Sequence, residues 1–186
     1  MNKKIIMSGI SIVASLAMLG GSAFAAFTTQ AVASGSTFST GVDSLLVSSD
    51  NITYSPTITS PFTGTKIVPG FNQPYTFFLK NDNTNSTDNL DVVATFTGGT
   101  VNPILDPVLM TQFTCVDPAK GTTTATAFSV AAMRGGQVSL GTINSGEIAT
   151  CTMTVSLPST ADNTVAGQNT SFDVDFNAST SVTPTP

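Results

Sequence analysis

The chain has no histidine and no tryptophan, a single glutamate, a single arginine and two cysteines, and only 9% of its residues are charged. Without histidine, neither a Ser-His-Asp triad nor an HExxH zinc site can be assembled. Two cysteines alone supply too few ligands to close a metal site, so the sequence asks for no cofactor and names no catalytic residue. Lys and Arg number 6 against 11 acids, for a net charge of −5. A surface so poor in cations cannot neutralise a run of phosphates, which excludes nucleic acid as a partner. Sugar sites rest on aromatic platforms, and here only Tyr54 and Tyr75 stand beside the phenylalanines.

Long apolar runs are also absent, with one exception. Ile5 to Leu19 is mostly apolar, follows Lys3 and Lys4, and ends at Gly20-Gly21 before Ala23-Phe24-Ala25. A positive start, an apolar stretch and a small-x-small site describe a secretory signal peptide over residues 1–25, cut between Ala25 and Ala26 by a signal peptidase. The competing reading is a retained anchor. A bilayer span takes roughly 20 apolar residues, more than this run offers, so no stable membrane anchor is expected. No cysteine precedes Cys115, which leaves nothing for a lipobox to acylate. Cleavage after the apolar run, not before it, also separates the pattern from that of a type IV pilin. Loss of Lys3 and Lys4 makes the exported chain two charges more negative than the −5 of the whole.

What the chain has in place of charge is Thr, Ser and Asn, residues that favour strands and turns over helices. Short runs such as "SLLVSS", "NITYSPTI", "YTFFLKN", "LDVVATF", "TQFTCV", "TATAFSV", "QVSLGT", "IATCTMTVSL" and "SFDVDFNA" alternate with turn signals such as "TGGTVNP", "DPAKG", "RGGQ" and "NSGE". Leu90, Val92, Ala94 and Phe96 share one parity, as do Cys151, Met153, Val155 and Leu157, and Phe172, Val174 and Phe176. Period two with one wet face marks antiparallel strands. Eight or nine such strands predict an all-β domain, a two-sheet antiparallel β-sandwich of jelly-roll type, over residues 37–178. Only "DPVLMTQF" and "SVAAMRG" are suited to a helical turn. Residues 26–36 form a polar N-terminal arm, and the Thr/Pro-rich tail 179–186 is expected to be disordered.

Cys115 shares parity with Phe113, and Cys151 with Met153 and Val155, so both face the predicted core. In an exported chain the pair is expected to form a disulfide, and closing a loop of this span adds about 4 kcal/mol. Two buried free thiols are the alternative. Asp173 and Asp175, about 7 Å apart on one strand face, are weighed as a Ca²⁺ or glycosidase-like pair against plain polar residues on a wet face. The Asn81–Asn89 loop, oxygen-rich but without the EF-hand Gly and Glu, reads first as a hairpin loop.

The two ends of the chain carry a resemblance. "AFTTQAVASGSTFSTGVDSL" is similar to the mature start of the TasA/camelysin family: Ala26-Phe27, a polar arm, then Thr37-Phe38-x-x-Gly41 leading into Leu45. "NSGEIATCTMTVSLPSTADNTVAGQNTSFDVDFNAST" resembles that family's closing strands, including Asn163, Ala166-Gly167-Gln168 and Phe172-x-Val174-x-Phe176-x-Ala178. The resemblance implies a jelly-roll protein exported to the cell surface or biofilm matrix by a dedicated (SipW-type) signal peptidase. It further implies fibres built by donor-strand exchange, a homopolymer of head-to-tail copies that also meets other matrix proteins. The arm supplies Phe27, Ala31 and Val32 as the residues expected to fill a neighbour. It also implies a rival, a metallopeptidase, for which this sequence offers no ligands. A monomeric surface module that binds a carbohydrate or another protein is the remaining alternative.

Overall fold

In a computed structural model the described residues are 31–33, 37–40, 44–59, 64–84, 88–117 and 121–181. Among them the chain forms the strands β1 (Ala31–Ala33), β2 (Thr37–Thr40), β3 (Leu45–Ser48), β4 (Thr57–Thr59), β5 (Gly64–Ile67), β6 (Asn72–Asn81) and β7 (Asn89–Thr97). There follow β8 (Met110–Asp117), β9 (Gly121–Thr124), β10 (Phe128–Ser129), β11 (Gln137–Ile143), β12 (Ile148–Ser156), β13 (Asn169–Thr170) and β14 (Asp173–Ser181). Among the described residues a short α-helix, α1 (Val130–Met133), and a 3-10 turn at Asn163–Val165 interrupt them. The architecture is the expected all-β sandwich. One sheet has the order β10-β8-β12-β6-β3 with β9 also on β8, and the other has the order β11-β7-β14-β2-β4.

The period-two residues become the core. Leu90, Val92, Ala94 and Phe96 of β7, Cys151, Met153 and Val155 of β12, and Phe172, Val174 and Phe176 at β14 are all buried. Successive long strands alternate between the sheets, β6 to β7 to β8 and again β11 to β12 to β14, a winding of jelly-roll type. This alternation corrects the reading of Asn81–Asn89. The segment is not a hairpin loop but a crossing from one sheet to the other, because β6 pairs with β12 and β3 while β7 pairs with β14 and β11.

Three further expectations change. "NITYSPTI" does not make a single strand. The Asp50 carboxylate accepts from the N–H groups of Ile52 and Thr53, and Asn51 takes a left-handed φ of 60°, so the chain turns before β4 begins. "TATAFSV" is split between β9 and β10, and the helical turn expected in "SVAAMRG" forms as α1, where the Ser129 side chain caps Ala132 N–H. The tail begins later than expected: β14 continues through Ser179, Thr180 and Ser181, paired with Asp91, Leu90 and Asn89. Backbone ladder bonds need no apolar side chain, so Ser and Thr extend the strand. Residues 182–186 lie outside the described residues. The pairing is also not antiparallel throughout, since β2 runs parallel to β14 and β1 parallel to β13.

Cys115 and Cys151 stand directly opposite each other in the β8–β12 register and are joined by a disulfide across 36 residues of chain. Loop closure of that length stabilises by about 4 kcal/mol in the chain-entropy account. The double substitution Cys115→Ala/Cys151→Ala should lower the urea unfolding free energy by about 2–4 kcal/mol. The non-reduced protein should show no alkylatable thiol by mass spectrometry, and two modified cysteines would contradict the bridge.

Candidate functional site

The arm expected to act as a donor strand is described at Ala31–Ala33, where it forms β1; Phe27 lies outside the described residues. β1 is the middle strand of a third, small sheet of order β13-β1-β5. On one side it runs parallel to β13, with Val32 opposite Asn169 and Ala33 opposite Thr170. On the other it runs antiparallel to β5, with Ala31 opposite Ile67 and Ala33 opposite Gly64. Among the described residues the two outer strands are joined in this sheet through β1. They therefore define a slot one strand wide, and here the chain's own arm fills it. The predicted residues Ala31 and Val32 are brought to this slot. Ala25 and Ala26 lie outside the described residues, and Cys115 and Cys151 belong to the body of the sandwich.

One wall of the slot is built by residues that the sequence reading passed over. Asn102 opens a turn by accepting the N–H groups of Ile104 and Leu105 on its Oδ1. Leu105 and Leu109 are buried beneath that turn, and Asp106 is buried with them. The α1 helix docks on the same turn, as Ala131 N–H donates to the Asp106 carbonyl and Val130 N–H to that of Leu109. Arg134, the C-cap of α1, is thereby delivered to the Asp106 carboxylate, and Nε donates to Oδ2 at 2.8 Å. The remaining guanidinium groups span two chain segments, 98–100 and 170–171. Nη1 donates to the Gly98 carbonyl at 2.8 Å, and Nη2 donates to Thr100 O at 3.1 Å and Ser171 O at 2.7 Å. Nη2 also reaches the Thr170 hydroxyl at 3.2 Å, and that hydroxyl in turn donates to Asp106 Oδ1.

The other partner of this wall is a close backbone approach. Gly99 has φ +70°, and a Cβ there would stand 2.1 Å from the Ser171 carbonyl oxygen. Only glycine fits both the dihedral and the space, so "TGGT" encodes a contact as well as a turn. Thr100 N–H donates to Ser171 Oγ at 2.7 Å, and Asn102 Nδ2 donates to Asn169 O at 2.8 Å. Together these bonds hold residues 169–171 from the side away from β1.

Asp173 and Asp175 stand apart from this cluster. They lie half-buried on β14, and Asp175 Oδ2 accepts from Thr97 Oγ1. Among the described residues no three His, Cys, Asp or Glu side chains converge in a way that would hold a metal ion. The signal for the Arg134 cluster was present but quiet: the chain's lone arginine, and an acid set in the apolar run "ILDPVL". No family model matches the chain, and no curated protein matches it.

A buried charge left without its partner is costly, whereas removing both charges together is far less so. Arg134→Met should lower stability by about 3–5 kcal/mol. The double variant Arg134→Met/Asp106→Leu should recover most of that loss in the same urea titration. Equal losses in the two variants would show that the ion pair is not what the site depends on.

Proposed function

We propose that this chain is an exported structural subunit that polymerises head to tail, each copy placing its N-terminal arm in the β13–β5 slot of the next. The observation that carries this reading is the place of β1: a terminal strand lying between two strands that do not pair with each other. A strand from another copy makes the same main-chain bonds in that slot, so exchange between copies costs no native pairing. Because donor and acceptor are different surfaces, the contact is heterologous and grows into a filament without closing into a ring. A surface of net negative charge keeps such copies from associating indiscriminately before strand exchange.

The resident β1 acts as a competitor. A strand joined to its own body by a short length of chain sees its own slot at an effective concentration in the millimolar range. Growth therefore requires high local concentration, or arms that enter a neighbour before they settle at home. Newly exported chains crowded at a cell surface or in an extracellular matrix meet both conditions. The same self-pairing supports a second reading, a closed monomer acting as a surface binding module.

Negative-stain microscopy separates the two. The mature protein, concentrated after refolding, should form filaments, and a variant lacking residues 26–36 should form none. Filaments of the same length and number from the shortened variant would sink the donor-strand mechanism. A protein that stays monomeric at every concentration would favour the binding module, and chelator-sensitive turnover of casein would replace both readings with an enzyme.

A further inference from the structure

β13 is two residues long, and β1 is its neighbour on one side. So short an edge has no ladder of its own to keep it extended, and ordering it at the moment of strand capture would consume much of the free energy of binding. The structure supplies the order in advance. The carbonyls of Asn169 and Ser171 accept from Asn102 and Arg134, and Ser171 N–H donates to Thr100 O, all on the side away from β1. Backbone groups alternate along a strand, which leaves those of Thr170 for the side on which β1 lies. The Thr170 side chain is meanwhile fixed among Asp106 and Arg134.

We infer that the Arg134–Asp106–Thr170 cluster is the positioning element of a strand-accepting edge: it holds β13 extended and in register so that an incoming arm is captured. The inference rests on the proposed function only for the source of the strand, since the chain's own β1 is captured in the same way. Arg134 is suited to the task because its planar fork binds several carbonyls at once, which a lysine ammonium on the same carboxylate cannot reproduce. The cluster also ties acceptance to the integrity of the fold. Gly98, Thr100, Asp106 and Arg134 come from the β7–β8 connection and the end of α1, so β13 is shaped only after those parts have docked.

Hydrogen exchange of the mature chain tests this directly, with Arg134→Lys, which keeps the charge opposite Asp106, and Thr170→Val, which keeps the shape. Both should speed exchange of the amides in residues 31–33 and 169–170 by at least tenfold, while β12 amides keep their wild-type protection. Mixed at a minor fraction into wild-type protein, either variant should shorten the filaments, because its arm can be donated but its slot accepts poorly. Unchanged exchange at residues 31–33 in both variants would overturn the inference. An equal rise in β12 would overturn it too, by reducing the cluster to a general support. If wild-type protein forms no filaments while the variants lose protection at residues 31–33 alone, the inference holds for the resident strand and the fibre reading falls.

Discussion

Five phenylalanine rings join the two sheets, and the rest of the molecule is arranged around them. Phe172 stacks on Phe96 at 4.4 Å, Phe96 meets Phe113 edge-on at 6.3 Å, Phe113 meets Phe77 edge-on at 6.4 Å, and Phe77 stacks on Phe176 at 5.1 Å. The series passes from one sheet to the other and back. Offset and edge-on aromatic contacts of this kind add about 0.5–1.5 kcal/mol each beyond the area they bury. Phe77 lies opposite Cys151 in the β6–β12 register, and Cys115 follows Phe113 on the same face of β8, so the bridge sits beside the rings. Phe172 has a second task. It comes directly after Ser171, so the ring that closes the core also anchors the segment whose backbone forms one wall of the slot.

The polar end of the sandwich solves a different problem. Beyond the rings, the core gives way to loops whose carbonyls have no strand to pair with. One guanidinium answers several of them, and its charge is balanced by a carboxylate that also receives the Asn102 N–H. A hydrophobic plug of the same volume would often be as stable as a buried ion pair. It would not fix the direction of three chain segments. The arrangement gives residues 169–171 a defined backbone geometry, the property that the proposed acceptor edge needs.

Much of this was legible in the sequence wherever a residue's role depends on its immediate neighbours. The alternation in β7, β12 and β14 announced the sandwich, and the parity of Cys115 and Cys151 announced their inward facing. What was not legible depends on contacts distant along the chain. Nothing local marks Asn169–Thr170 as a strand; they become one because β1 lies beside them. Nothing near Arg134 predicts that its partners will be Asp106, Gly98 and Ser171. "TATAFSV" has the composition of one strand, yet it is divided between β9 and β10, and the helical turn expected in "SVAAMRG" begins at its last residue, Val130, where Ser129 caps Ala132. The boundary near Ala178 erred for the opposite reason: backbone pairing persisted where side-chain hydrophobicity had ended.

In a thread of such subunits, tension would enter each body near the base of its own arm and leave through the walls of its occupied slot, at β5 and β13. The stretch of chain between those walls is the part that load would unravel. The bridge removes 36 residues from it, and at about 3.5 Å per extended residue this withholds on the order of 120 Å of contour length. In such a thread the disulfide would set a limit on extensibility: a yielding subunit could lengthen by its outer segments while β8 and β12 stayed laced together. Release of the load would find the middle of the sheet still assembled, a template on which the remainder can refold.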